Sequence, residues 1–249
     1  MTDADDAFYT RLFTKNPTWS TPYPNVEEAQ RAARILPLLT RAATRHDAAV
    51  SPEMRILDLG CGRGWLTYLA SAYGTCMGID PVRPVIESAR AHFPHLSFEV
   101  GTATDLLQAG QAGAYDLVLA SEVIEHAPLG EQDRFVGEIR ELLKPAGQAL
   151  ITTDRGEIYE RWRQAGRTHQ PEENWLTERQ VRELFLRHGF RVAGFDRAYY
   201  ATPDLSAVHR LIESSRLQRA LSAARQRWLL DSVQFLAAGC QLWLFTRDG

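Results

Sequence analysis

The seven residues Asp58-Leu59-Gly60-Cys61-Gly62-Arg63-Gly64 constrain this chain more than any other stretch. Arg55-Ile56-Leu57-Asp58-Leu59 reads as a strand, and Trp65 to Tyr73 reads as a helix. The glycines lie between them. Glycine permits left-handed backbone and a close ligand approach. The following helix offers its N-terminal amides to that ligand. The strand-helix rhythm then recurs. Cys76 to Asp80, Leu96 to Val100, Tyr115 to Ala120 and Gln148 to Thr153 are predicted strands. Helices are predicted over Val85 to Phe93, Glu131 to Leu143 and Thr177 to Arg187, with Thr177 as N-cap and Pro145 and Gly147 ending the second. Tyr115 to Ala120 is almost wholly apolar, which suits a strand buried on both faces. Such alternation predicts an α/β, doubly wound, mostly parallel sheet with right-handed crossovers. Phe190 to Phe195 and Gln241 to Thr246 are two late strands, and Leu205 to Leu230 reads as a long helix between them.

At 249 residues the chain fits one large α/β domain. We divide it into 1–50, 51–200 and 201–249. Hydrophobic residues at 45% and charged residues at 24% suit a buried core and exclude disordered or collagen-like classes. The net charge of −3 gives no global attraction to nucleic acid. Cys61, Cys76 and Cys240 are too few and too scattered for a disulfide framework. The acidic start lacks the features of a signal peptide. Leu229 to Phe245 is broken by Asp231, Ser232, Gln234 and Gln241, so no membrane span is expected. The expected location is the cytoplasm.

The ends are read more coarsely. Pro17, Pro22 and Pro24 make the first 25 residues irregular, with Trp19 and Tyr23 as lid candidates. A helix starts after Asn25, and Pro37 is expected to kink or interrupt it. Tyr159, Trp162 and Trp175 are further lid candidates. The Leu205 helix reads as a cap, as a plain amphipathic helix with a solvated basic face, or as a homodimer surface.

Asp80 ends the second strand, 20 residues after Gly60. An acid there accepts hydrogen bonds from both hydroxyls of a ribose. The glycine spacing is G-x-G-x-G, preceded by Asp58. A carboxylate beside a pyrophosphate is repelled, whereas one near an ammonium and a sulfonium is attracted. That favours S-adenosylmethionine over NAD.

Residues 55–153 resemble the class I S-adenosylmethionine-dependent methyltransferases. The matching pieces are residues 56–64, Gly78-Ile79-Asp80, Tyr115-Asp116-Leu117-Val118, Ser121-Glu122-Val123-Ile124-Glu125-His126 and residues 142–148. Within that family the chain is most similar to small-molecule O-methyltransferases of the ubiquinone-biosynthesis type. The resemblance implies a Rossmann-like, seven-stranded sheet whose last strand is antiparallel. It places the methionine part over Gly60, Cys61 and Gly62, the amino end at Asp58, the ribose at Asp80 and the backbone of Ser121 nearby. Relatives often have an acid where this chain has Thr102, so Thr102 or the backbone of Ala103 is the candidate for the adenine amine.

Glu122, Glu125 and His126 follow the fourth strand, where ligands bind in open α/β sheets. With His169 they resemble the metal site of small-RNA 2′-O-methyltransferases, a set able to take Mg²⁺ or Mn²⁺. Without a metal, His126 is the first candidate for general base and His169 the second. The other histidines carry no assigned chemistry. The expected activity is methyl transfer to a small-molecule hydroxyl. N- or C-methyl transfer, a non-catalytic cofactor-binding module and a nicotinamide-dependent enzyme are the alternatives.

Overall fold

The computed structural model describes residues 3–44, 53–128, 130–164, 170–171, 173–198, 214–223 and 227–249. Its centre is a sheet of β1 (Arg55–Leu59), β2 (Thr75–Asp80), β3 (Ser97–Val100), β4 (Tyr115–Ser121), β5 (Leu143–Asp154), β6 (Phe190–Ala198) and β7 (Cys240–Arg247). The strand order is β3-β2-β1-β4-β5-β7-β6. Pairing is parallel from β3 through β5, and β7 runs antiparallel to both β5 and β6. The doubly wound sheet read from the sequence is therefore present, with its last strand antiparallel.

Successive side chains of a strand point to opposite faces, and here both faces are covered. Leu57, Val118 and Phe245 pack on one side with α5 (Ala103–Gln108), α6 (Gln132–Leu142) and α8 (Glu178–Arg187). Ile56, Leu117 and Leu244 pack on the other with α2 (Val26–Ala43) and α3 (Trp65–Ala70). α4 (Arg83–His92) buries Ile86 and Ala89 against Phe98 of β3. The order reverses between β1 and β4, because the chain builds outward from β1 to β3 and then crosses back to the other side of β1. A crevice opens at the carboxyl ends of strands at such a reversal.

Several expectations change. The first residues are not irregular throughout: α1 (Asp3–Lys15) is helical, because all three prolines lie beyond it. Pro37 does not end α2. Ile35, Leu38, Leu39 and Ala42 bury one face of that helix, and this packing outweighs the roughly 3 kcal/mol that an internal proline costs. β5 begins at Leu143, not Gln148. Leu143 pairs with Tyr115, then the register shifts so that Leu117 meets Gln148, and Pro145 and Gly147 sit within that irregularity. α7 (Gly156–Gln164) was not foreseen. The long late helix is described as two helices, α9 (Ser215–Ala223) and α10 (Arg227–Leu236). Residues 205–213 and 224–226 of that stretch lie outside the described residues.

Candidate active site

A cavity of about 680 Å³ occupies the crevice. Its first half is the glycine loop. The backbone amides of Gly60 and Cys61 both donate to Ile79 O, at 2.8 and 3.0 Å, which folds the loop over the end of β2. Gly60 has φ 74°, and a Cβ there would lie 2.5 Å from Val123 Cγ2. No other residue fits. Gly64 caps α3 in the left-handed region at φ 87°.

Two buried carboxyls flank this loop. Asp80 accepts from Gly62 N–H at 3.1 Å and from Val82 N–H at 3.0 Å. Burial pushes it up to about 6, against those two hydrogen bonds. Asp58 accepts from Thr67 Oγ1 at 2.6 Å. Burial, opposed by that bond and assisted by Asp80, pushes it up to about 7. Both are raised chiefly by burial, so a cation or a hydroxyl donor beside them would favour their charged forms. An ammonium beside Asp58 and ribose hydroxyls beside Asp80 would suit both, so the residues present fit S-adenosylmethionine.

The second half is aromatic and acidic. Phe8, Tyr9 and Phe13 enter from α1, and Trp19, Tyr159 and Trp175 come from elsewhere in the chain. The Tyr9 ring meets the His126 ring edge-on at 5.8 Å. Tyr9 donates to Gln170 Oε1 at 3.2 Å. Glu122 holds Arg31 at 3.0 Å and accepts from Thr152 Oγ1 at 2.7 Å. It does so from a left-handed backbone at φ 57°. A non-glycine residue there is uncommon and marks functional sites more often than others. Burial first, and the Glu122 charge second, push the Glu125 carboxyl well above the usual carboxylate range. Asp154 is shifted the same way, by burial and then by Glu122 and Glu125.

A family profile described as a methyltransferase domain matches residues 27–193, about two thirds of the chain. This chain belongs to the methyltransferase-domain family. Within it, the sheet and loop are those of the class I S-adenosylmethionine-dependent methyltransferases. The methyltransferase domain is 33% identical over 124 residues to the mitochondrial ubiquinone biosynthesis O-methyltransferase of Mus musculus, spanning 47% of this chain and 33% of that protein. Against the ubiquinone biosynthesis O-methyltransferase of Caulobacter sp. (strain K31) it is 34% identical over 105 residues, 40% of each. The match spans well under half the length of both relatives. Two crystal structures share the fold. An S-adenosylmethionine dependent methyltransferase from Mesorhizobium loti superposes with TM-score 0.56 at 16% identity, covering 88% of this chain and 100% of that one. The [4+2]-cyclase SpnF superposes with TM-score 0.64 at 17% identity, covering 98% and 95%.

Of the residues singled out from sequence, Asp58, Gly60, Cys61, Gly62, Asp80, Ser121, Glu122, Glu125 and His126 all line the cavity of the methyltransferase domain. Thr102 and Ala103 do not. Thr102 is the N-cap of α5, and its N–H and Oγ1 each lie 2.7 Å from Asp105 Oδ2. His169 and the side chain of Trp162 lie outside the described residues. Trp19, Tyr159 and Trp175 reach the cavity, but Tyr23 is exposed and does not. Among the described residues, no group of three or more His, Cys, Asp or Glu side chains is arranged to hold a metal. Glu122 in particular is already bound to Arg31. His169, the fourth member of the expected set, lies outside the described residues, so the described side chains alone do not assemble it. Among the described residues, no helix is long and apolar enough to cross a membrane.

Sequence reasoning missed Arg31, Arg63, Glu28 and Asp154. Arg63 is buried, pairs with Glu28, and donates to Thr21 O at 2.6 Å and Tyr23 O at 3.1 Å. An arginine inside a glycine loop was the available signal. Arg31 and Asp154 had none, because their neighbours are distant in sequence.

Proposed function

We propose that the protein transfers the methyl group of S-adenosylmethionine to a hydroxyl oxygen of a small molecule. The observation that carries this reading is one continuous cavity, with the glycine loop and Asp80 at one end and His126 among aromatic rings at the other. S-adenosylmethionine, when bound, supplies an electrophilic methyl group on a sulfonium. Asp80 takes the ribose hydroxyls, and Asp58 faces the amino end. The backbone of Gly60 to Gly62 and of Ser121 borders the methionine part. Pro81 and Val82 are the cavity residues next to Asp80 and give apolar contact to the base, a role the capping geometry of Thr102 does not support. His126 accepts the proton of the acceptor hydroxyl, and the Tyr9 ring orients its imidazole. The α1 aromatics exclude water and hold the acceptor in line, which supplies much of the rate. Oxygen as acceptor is supported by the two O-methyltransferase relatives.

Two measurements test this. Calorimetric titration with S-adenosylhomocysteine checks the cofactor, with one site expected. Transfer of a tritiated methyl group to a panel of phenols, sugars and hydroxy acids checks the reaction. His126→Ala is expected to lower kcat by a factor of about 10² to 10⁴ and to remove the acidic limb of the pH profile, the rise in rate that accompanies deprotonation of the base. Label appearing only on nitrogen or carbon acceptors overturns the oxygen assignment. An unchanged pH profile overturns the role of His126.

A further inference from the structure

α9 and α10 stand between β6 and β7, and none of their residues lines the cavity. α10 turns apolar side chains to solvent. Trp228 is 61% exposed and Leu236 71%, and Leu229, Val233 and Phe235 are exposed between them. At 3.6 residues per turn all five fall on one half of the helix. An apolar stripe of this kind on the outside of a protein marks a contact surface. Nor is the helix a fraying end. Arg155 Nη1 donates to Leu236 O at 3.3 Å and to Ala238 O at 2.8 Å, and Arg197 Nη1 donates to Phe235 O at 3.2 Å. Both guanidiniums pair with Glu178, at 2.8 and 2.6 Å. Two arginines thus cap the carbonyl end of α10 and hold it in place with its apolar side outward.

Charge decides what covers this side. Residues 214–236 carry Arg216, Arg219, Arg225 and Arg227 against Asp231 alone, whereas the whole chain has a net charge of −3. Arg216 and Arg219 are exposed on α9. A second copy of the chain would bring these arginines toward one another, a costly juxtaposition. An RNA backbone would take the arginines and leave Leu229, Val233 and Leu236 in water. An anionic bilayer surface satisfies both groups. Trp228 and the aliphatic side chains enter the headgroup boundary, and the arginines meet lipid phosphates. We infer that α9 and α10 form an interfacial anchor that seats the protein on an anionic lipid surface. At 9 and 10 residues, both helices are too short to cross the bilayer. The anchor does not rest on the methyl-transfer reading.

The test is co-sedimentation of the full chain with vesicles, one set of phosphatidylcholine and one of equal parts phosphatidylcholine and phosphatidylglycerol. Binding to the mixed vesicles is expected to be at least about tenfold tighter, and to weaken at about 0.5 M salt. Trp228→Ser with Leu236→Ser, and separately Arg216→Gln with Arg219→Gln, are each expected to lower it by about tenfold or more. All four side chains are exposed and lie outside the cavity, so the melting temperature and S-adenosylhomocysteine affinity of both variants should match the wild type. No binding to either vesicle, equal binding to the two, or binding that survives in either variant overturns the inference. So does a dimer in sedimentation velocity that Trp228→Ser with Leu236→Ser dissociates, since the apolar side would then belong to a second copy. The wild-type comparison stands as a test if a variant fails to fold.

Discussion

Asp58 and Asp80 show how far burial decides the behaviour of a residue. Both letters were legible as ligand groups, because their spacing from the glycines is local. Their protonation was not, since it depends on the walls that enclose them. Asp80→Ala removes the acceptor of two backbone amides as well as the ribose contact. We expect S-adenosylhomocysteine affinity to fall by about 30- to 100-fold, equivalent to about 2–3 kcal/mol, in calorimetry. Unchanged affinity removes the ribose assignment. Both carboxyls titrate higher in the fold than in an unfolded chain, at about 7 and about 6. The stability this gives is full below the unfolded value of about 3.9 and is lost as pH rises through the folded values. Cofactor-free protein should therefore melt several degrees lower at about pH 8 than at about pH 5. Asp58→Asn should flatten that difference. A ligand bearing an ammonium reverses the preference, so its affinity should rise over the same interval. A flat melting profile in the wild type contradicts this account.

Between elements, Arg63 is the link that matters most. It extends from the glycine loop and holds the connection between α1 and α2 through Thr21, Tyr23 and Glu28, with its guanidinium 5.6 Å from the Trp19 ring. Glu28 also closes the capping box of α2, accepting from Asn25 N–H at 2.8 Å. Arg63→Ala leaves that buried carboxylate without its counter-charge. Urea unfolding should show a loss of about 3–5 kcal/mol, and Arg63→Ala with Glu28→Gln should recover part of it. Release of S-adenosylhomocysteine should also be faster in stopped flow. A variant with wild-type stability would show that the tie is not needed. The elements themselves were mostly visible in the sequence. Strands β1 to β4, α4, α6 and the Thr177 cap follow local patterning and fall within a few residues of their predicted places. What patterning missed was tertiary in origin. α2 runs through Pro37 because a packed face holds it, and the start of β5 is set by a register shift against β4.

At the scale of the molecule, the sheet is a scaffold that can be weakened without altering the site. Phe185 of α8 stacks on Phe245 of β7 at 4.1 Å, and neither lines the cavity. Phe185→Ala should lower stability by about 3–5 kcal/mol in chemical denaturation. The folded fraction should bind S-adenosylhomocysteine as before, and a changed Kd would show that site and scaffold are coupled. The parallel order was legible because alternation of strand and helix admits few topologies. The composition of the cavity was not, since its walls come from distant segments. Asp58, Gly60 and Asp80 line the cavity from β1, its glycine loop and β2, Glu122, Glu125 and His126 line it from the segment after β4, and Phe8, Tyr9, Arg31 and Tyr159 line it from α1, α2 and α7. On the proposed reading, donor and acceptor are met by stretches of chain that can change largely separately. A lineage built on this plan can exchange its acceptor by rewriting α1, α2 and the region after β5, and inherit the His126 segment and the donor machinery intact.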